Sequence, residues 1–159
     1  MTAGDAGASR LVAWGQELRA VHQRLRDGLA VARESIDDGA TPNLSGDRLL
    51  FCHGFCHALD GHHRSEDGVT FPLVVQRHPE LAPVVAQLMQ DHSTLGHLIR
   101  ELEHDLGRAA DAEALQRHLD GIEAVMETHF RYEERQLIAV LDRLPVGELD
   151  KPSLFGPIA

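Results

Sequence analysis

Apolar residues recur along most of the chain at the three- and four-residue spacing of an amphipathic helix. The first such stretch runs from Arg10 to about Ile36. Its apolar residues fall on one helical face and are Leu11, Trp14, Leu18, Val21, Leu25 and Leu29. The segment 37–47 that follows is rich in Asp, Gly, Pro and Asn, which predicts a loop after this helix.

A second helix is predicted after this loop. Ser45 or Asp47 can cap its start, and we expect it to run to about Val69 and to end before Pro72. The segment 73–80, LVVQRHPE, is expected to be a connection that is broken at Pro79. This connection therefore separates the first two predicted helices from the second half of the chain.

Two further helices are predicted in the second half. The third runs from about Ala82 to Leu106, with Pro83 in its first turn and Gly107 just past its end. Asp111 opens the fourth, which Pro145 stops. The apolar face of this helix consists of Leu115, Leu119, Ile122, Val125, Leu137, Val140 and Leu144.

Four long helices joined by short loops, with no convincing strand, predict an all-α fold. We expect an up-down-up-down four-helix bundle over residues 10–144, with any metal site in its core. Residues 1–9 are small and polar and predict a disordered tail. Residues 145–159 predict an irregular C-terminal tail, too rich in Pro and Gly for a fifth helix. The apolar residues with which this tail can pack on the bundle are Leu154, Phe155 and Ile158.

Composition and charge narrow the class of protein. A length of 159 residues with 43% hydrophobic residues predicts one domain with a real core. The formal net charge of −10 argues against nucleic acid as a partner, and the lack of a long apolar run argues against a membrane span. No secretory signal is visible, and Cys52 and Cys56 are too few for a disulfide framework, so we expect a cytoplasmic protein.

The eleven histidines are the unusual feature of the composition, because imidazole is a common metal ligand. Two of them begin a repeated pattern, His-x-Arg-x-Glu-acidic, at 62–67 (HHRSED) and at 129–134 (HFRYEE). His and Glu four residues apart lie on one helix face, one turn apart. A lone histidine stands on the helix before each motif, His22 before the first and His92 before the second.

The four histidines of this pattern are expected to share one layer of the bundle, given a helical rise of about 1.5 Å per residue. The two glutamates then lie one turn away from them. Buried carboxylates without partners cost several kcal/mol, and bound cations remove that cost. Four His and two Glu divide into two sets of two His and one carboxylate, which suits iron with open positions, and either Glu can bridge. The predicted metal ligands are His22, His62, Glu66, His92, His129 and Glu133.

The order His, His-x-x-x-Glu, His, His-x-x-x-Glu on four helices resembles the hemerythrin-like (HHE cation-binding) family over about residues 14–144. The run EDGVTFP at 66–72 is similar to that family's end of helix 2. The resemblance implies that the six predicted ligands hold a non-heme centre of two Fe ions with an oxo or hydroxo bridge. It also implies that dioxygen or peroxide reacts there.

The chain departs from the oxygen-carrying members of that family. They have a second histidine four residues after the helix-3 histidine, where this chain has Gly96, and His97 is one residue too far on. Their helix-4 motif is His-x-x-x-x-Asp, whereas this chain has His129-x-x-x-Glu133. In some relatives a tyrosine fills the gap, and Tyr132 is the only tyrosine here. We therefore expect an additional open iron position near Gly96, which favours turnover over reversible oxygen carriage.

Three functions remain open at this point. The first is catalase-like decomposition of hydrogen peroxide. The second is a di-iron oxidase or oxygenase that acts on a small organic substrate, which predicts an apolar pocket beside the metals, covered by the tail 146–159. The third is a module that binds or senses dioxygen, nitric oxide or iron.

The other candidate ligands have simpler interpretations. Cys52 and Cys56 are interpreted as small buried residues, with a surface zinc site or a redox pair as the alternative. His53 and His57 are expected to face solvent, and His118 to line the upper layer of the bundle. The histidines expected to face solvent or a neighbouring helix are His63, His78, His97 and His104.

Overall fold

A computed structural model of the chain describes residues 3–37, 45–108, 110–144 and 151–159. None of these residues lies in a strand. The helices are α1 (Ala3–Asp37), α2 (Ser45–Ser65), α3 (Phe71–Arg77), α4 (Ala82–Gly107), α5 (Ala112–Leu141) and α6 (Lys151–Phe155). A π-helical turn (Glu66–Thr70) joins α2 to α3, and a 3₁₀ turn (Pro79–Leu81) precedes α4.

The four long helices close into a ring around one core. α1 packs against α2 and α5, and α4 packs against the same two helices from the other side. Leu18, Val21 and Leu25 of α1 are fully buried, as are Leu119 and Ile122 of α5, so the predicted apolar faces meet inside. The all-α bundle predicted from the hydrophobic periodicity is confirmed. None of the helices in the described segments is long and apolar enough to cross a bilayer.

The first helix is longer than the sequence predicts. It begins at Ala3, so residues 3–9, which we expected to be disordered, are helical in the structure. The physical reason is that extending an existing helix is far easier than nucleating one, even where Gly and Ser lower the propensity. Most of the predicted loop 37–47 lies outside the described residues, and α2 already begins at Ser45.

Pro72 does not end the second helix, contrary to the prediction. The π turn Glu66–Thr70 intervenes, in which the Phe71 N–H donates to the Glu66 carbonyl. Pro72 then stands in the first turn of α3, where a missing N–H is tolerated. The segment 73–80 is therefore largely helical, and the chain breaks at His78 (φ −134°, ψ 71°), immediately before Pro79.

The second half of the bundle follows the prediction closely. Pro83 lies in the first turn of α4, as expected. Asp111 is the N-cap of α5, and its side chain accepts a hydrogen bond from the Ala114 N–H over 2.8 Å. The regular helix ends at Leu141, before the predicted Leu144, and Pro145 lies outside the described residues.

The C-terminal segment 151–159, here called the strap, differs from the irregular tail that we predicted. It begins with the short helix α6, and Leu154 and Phe155 are buried against the bundle. The Thr70 hydroxyl donates to the Leu154 carbonyl over 2.6 Å. Gly156 has a φ of 92°, and a Cβ there would lie 2.8 Å from backbone atoms of Gly61. Glycine thus permits the left-handed turn and the close approach of the strap to α2.

Candidate metal centre

All six predicted ligands lie inside the bundle, in one layer that receives side chains from α1, the α2–π segment, α4 and α5. None of them is more than 6% exposed. Such a concentration of imidazole and carboxylate in a core is unfavourable unless the polar atoms find partners. The residues brought together are His22, His62, Glu66, His92, His129 and Glu133.

The ligand atoms fall into two groups, and within each group they lie within 4.8 Å of one another. An ion with bonds of about 2.1 Å places opposite ligands about 4.2 Å apart, so each group has the size of a single-cation site. The three-histidine group consists of His63, Glu66, His92 and His129. The two-histidine group consists of His22, His62 and Glu133.

The carboxylate of Glu66 lies between the two groups. Its Oε1 atom is 3.5 Å from Nε2 of His92 in its own group and 3.2 Å from Nε2 of His62 in the other. No hydrogen bond reaches either oxygen of Glu66 from the described residues. A carboxylate with free oxygens between two sets of imidazole nitrogens has the position of a bridging ligand.

Glu133 has the equivalent position from the opposite helix. Its Oε2 atom is 3.3 Å from Nε2 of His22 and 3.4 Å from Nε2 of His129, one in each group. Burial, and then Glu133 beside it, raise the pKa of Glu66 well above its usual range. Burial alone would raise the pKa of Glu133, but Glu66 and His22 hold it well below that range. Without a cation, the pair therefore keeps a proton on Glu66 and the negative charge on Glu133.

Carboxylates at the edge of the site orient the imidazoles of the three-histidine group. Nδ1 of His92 lies 2.7 Å from Oδ1 of Asp67, and Nδ1 of His129 lies 3.1 Å from Oδ2 of Asp91. A carboxylate oxygen accepts hydrogen bonds, so each Nδ1 carries the proton and each neutral ring has its Nε2 lone pair free. This is the outer arrangement that metal-binding histidines usually have.

The two-histidine group is oriented in the same way. Nδ1 of His22 lies 2.9 Å from Oε1 of Glu134, and Nδ1 of His62 donates to the Phe155 carbonyl over 2.7 Å. Nε2 of both rings is buried without a hydrogen-bond partner among the described residues. The strap therefore contributes one of the four acceptors that fix these rings.

The Nε2 atoms of His92 and His129 lie 3.0 Å apart, deep in the core. Because both Nδ1 atoms already donate to carboxylates, two lone pairs face each other at this distance if both rings are neutral. That contact is repulsive unless a proton or a cation lies between the nitrogens. Burial lowers the pKa of His129, which disfavours the proton and favours a metal ion.

The pKa shifts of the other rings are consistent with ligation. Burial, followed by the charge of His22, lowers the pKa of His62 to about 3. Burial and His92 lower the pKa of His63 well below its usual range. These rings are neutral, the form that binds metal. His22 differs. Burial alone would lower its pKa, but the carboxylates of Glu133 and Glu134 raise it above its usual value, so a positive charge is favoured at this position.

Aromatic rings separate the centre from solvent. The Phe130 ring stacks on His22 with centroids 3.8 Å apart, and the Phe71 ring stacks on His92 at 5.4 Å. Both phenylalanines are fully buried. They hold the imidazole planes and lower the local polarity, which strengthens the electrostatic interactions within the site.

His63 is a candidate ligand that sequence reasoning did not include. It does face a neighbouring helix, one of the two expectations for it, because its ring stacks on His92 of α4 with centroids 3.8 Å apart. It is only 4% exposed, and its ligand atom belongs to the three-histidine group. The signal in the sequence was the spacing of Glu66, which is three residues after His63 and four after His62.

Gly96 and Tyr132, the residues singled out for the missing family histidine, belong to neither ligand group. A Cβ built at Gly96 would have only Nη1 of Arg100 within 4 Å outside the helix's own backbone. The open iron position near Gly96 remains a prediction. Tyr132 is half-buried, with the Arg135 guanidinium carbon 5.9 Å from its ring centroid, and it lines a surface pocket with Asp91.

The cysteines and His118 belong to neither group. Cys52 and Cys56 are buried free thiols, and burial raises the pKa of Cys56 to about 12. His53 and His57 are exposed, as expected. His118 is half-buried, and its Nε2 lies 2.6 Å from Oδ2 of Asp105.

A family model described as the hemerythrin HHE cation binding domain matches residues 16–143. The match includes α1 from residue 16 onward, the whole of the other three long helices and every residue of both ligand groups. Neither the curated proteins nor the solved structures contain a match to the chain.

Proposed function

The chain belongs to the hemerythrin HHE cation-binding domain family, and we propose that it holds two iron ions that react with dioxygen or peroxide. One iron would bind in the three-histidine group and the other in the two-histidine group. Glu66 and Glu133 would bridge them. When bound, such ions supply Lewis acidity and ferrous–ferric redox chemistry.

The observation that carries this proposal is the 3.0 Å approach of the His92 and His129 Nε2 atoms. Each ring has its Nδ1 directed at a carboxylate, so both lone pairs converge on one point. A purely structural bundle has no reason to bury two lone pairs in this arrangement. Imidazole and carboxylate donors with no thiolate among them favour iron.

Hydrogen peroxide is the substrate that we favour. Its disproportionation to water and oxygen needs no organic substrate and no reductase, because one peroxide is oxidised while the other is reduced. The two-histidine group has fewer protein ligands than the three-histidine group, which leaves room for a small molecule. The chain's own part is to hold and orient the ligands and to exclude bulk water through Phe130 and Phe71.

Metal analysis and oxygen evolution test this function. We expect protein loaded with Fe²⁺ under anaerobic conditions to retain two iron ions per chain and to evolve oxygen from hydrogen peroxide. His62→Ala and Glu133→Ala should lose at least one ion and most of the activity. His57→Ala, an exposed histidine on α2, is the matched control and should behave like the wild type. Fewer than one iron per chain, with zinc in its place, would contradict the proposal.

A groove between α1 and α2 supports a second candidate, oxidation of a small apolar molecule. The groove has a volume of about 380 Å³, and its walls are almost wholly apolar. Leu25 and Ala58 in its lining lie one helical turn from His22 and His62, and Ile158 of the strap contributes to one side. This is the kind of pocket that the oxidase hypothesis predicts.

Filling the groove tests this second candidate. A Cβ at Gly54 would meet no atom within 4 Å, so Gly54→Phe should occupy the groove without disturbing the bundle. With toluene as the probe, ascorbate as the reductant and dioxygen as the oxidant, the iron-loaded protein should form cresol and water. The Gly54→Phe variant should not form cresol. Absence of cresol from the wild type, or equal formation by both proteins, would refute this candidate.

A further inference from the structure

We propose that His63 is a metal ligand and supplies from α2 the fifth histidine that Gly96 leaves missing from α4. The inference rests on the proposed metal-binding function and extends it to a residue outside the repeated motif. It changes the expected donors from four histidines and two glutamates to five histidines and two glutamates. The unequal groups then hold three and two histidines.

The first support is the state of the His63 Nε2 atom. It is buried, and no described residue offers it a hydrogen-bond partner. One ring nitrogen of His63 lies within 4.8 Å of the ligand atoms of Glu66, His92 and His129. A nitrogen that only filled space would not need to converge with three other donors.

The second support is the geometry of the helix. Successive residues of an α-helix are rotated by about 100°, so a residue four positions on lies about 40° from the first. Glu66 therefore projects between His62 and His63, with one imidazole on either side. His62 lies on the side of the two-histidine group and His63 on the side of the three-histidine group. Adjacent histidines can thus serve different metal ions, with Glu66 between them.

The third support is the packing of the ring. The His63 ring is nearly parallel to the ring of His92, at an interplanar angle of 13° and a centroid distance of 3.8 Å. It meets the ring of His129 edge-on, at 82° and 5.2 Å. Three imidazoles thus line one side of the site, from α2, α4 and α5. The additional open position that we expected near Gly96 would be filled by His63.

Cobalt titration tests the assignment without relying on turnover. Co²⁺ is a useful probe because its visible absorption depends on coordination number and donor type. We expect the wild type and the exposed-site control His57→Ala to bind two Co²⁺ ions per chain. His63→Ala should bind the ion of the three-histidine group at least tenfold more weakly, with an altered spectrum. Free imidazole should fill the cavity and restore both the affinity and the spectrum.

The outcomes separate the two proposals. If the wild type binds two ions and His63→Ala matches it in affinity and spectrum, His63 is only a packing residue and the inference is wrong, while the metal site stands. If the wild type binds no metal, both proposals fail. Circular dichroism checks folding, and if the alanine variant does not fold, His63→Gln replaces it, with weaker binding and an altered spectrum again expected. A folded glutamine variant with wild-type binding would overturn the assignment.

Discussion

Nδ1 of His62 donates a hydrogen bond of 2.7 Å to the carbonyl oxygen of Phe155, which is 93 residues later in the chain. The acceptor belongs to the strap, which reaches α2 through the left-handed turn at Gly156. A side-chain substitution cannot remove a main-chain carbonyl, but it can move that carbonyl away from its partner. The strap is therefore part of the proposed metal site and not merely a cover.

Moving the strap should weaken metal binding. In Gly156→Ala, the new Cβ would lie 2.8 Å from backbone atoms of Gly61 and His62, in a conformation that alanine rarely adopts. We expect the strap to shift and metal affinity to fall by about 10- to 100-fold, the usual effect of losing a hydrogen-bond partner of a ligand. Isothermal titration with Co²⁺ measures this change.

The control for this variant is Gly121→Ala in the middle of α5. A Cβ at Gly121 meets no atom within 4 Å, so the variant should bind metal normally and gain up to about 1 kcal/mol of stability. Equal metal affinity in the two variants would show that the strap does not orient His62.

Glu66→Gln should separate stability from metal binding. The buried Glu66 carboxyl has no hydrogen-bond partner among the described residues, and its raised pKa means that it must take up a proton when the metal-free chain folds near neutral pH. An amide of the same shape avoids this cost. We expect the metal-free variant to be about 1–3 kcal/mol more stable than the metal-free wild type near neutral pH. Urea unfolding of both proteins in the presence of a chelator measures the difference.

The same variant should bind metal poorly, because a neutral amide is a weak bridge. Glu101→Gln is the exposed control and should change neither property appreciably. If the Glu66→Gln variant is less stable than the wild type without metal, or retains full metal affinity, Glu66 has a structural role and is not a bridging ligand.

Removing the metal should lower the melting temperature. Ligands that bind only the folded state stabilise it by about 4 kcal/mol when their concentration is a thousand times the Kd. For a chain of this size that corresponds to roughly 8–16 °C per site. Differential scanning calorimetry before and after chelation measures the shift, and an unchanged melting temperature would favour a purely structural bundle.

The Cys56 thiol should be inert in the folded protein. Burial raises its pKa to about 12, so at pH about 8 almost no thiolate is present. We expect no alkylation by iodoacetamide in buffer and rapid alkylation in urea, as measured by mass spectrometry. A raised folded pKa also means that the protein loses stability as the pH rises from about 9 towards 12. Alkylation of the native protein would indicate a reactive thiol and revive the redox interpretation.

Helix-scale features were accessible from the sequence, because hydrophobic periodicity and terminal signals are local. The cap at Asp111 and the first-turn Pro83 are determined by neighbouring residues and were predicted correctly. The repeated His-x-x-x-Glu spacing, with the lone His22 and His92, likewise predicted four histidines in one layer and two glutamates one turn away. Each of these predictions needed only the geometry of a regular helix.

The tail was expected to pack on the bundle through Leu154 and Phe155, and both are buried. The place of His63 in the site, and the shape and hydrogen bonds of the strap, were missed because they depend on tertiary contacts. A rule of one inward face per helix assigns His63 to the side of α2, and only the approach of His92 from α4 makes that side part of the site. Thr70 and His62 donate hydrogen bonds to two carbonyls of the strap. The sequence of 151–159 alone gives no sign of these two contacts. Its Pro and Gly content predicted irregular chain, whereas contacts with α2 determine its shape.

The π turn at Glu66–Thr70 has a consequence for how this chain can vary. A turn of this type contains about one residue more than an α-helical turn, so it sets the rotation of everything that follows. Removing that residue would rotate Thr70 and Phe71 by about 100° relative to the ligands before them. Thr70 would lose the Leu154 carbonyl and Phe71 would leave His92. The length between Ser65 and Phe71 therefore cannot change by even one residue without separating the strap and the aromatic rings from the proposed metal ligands.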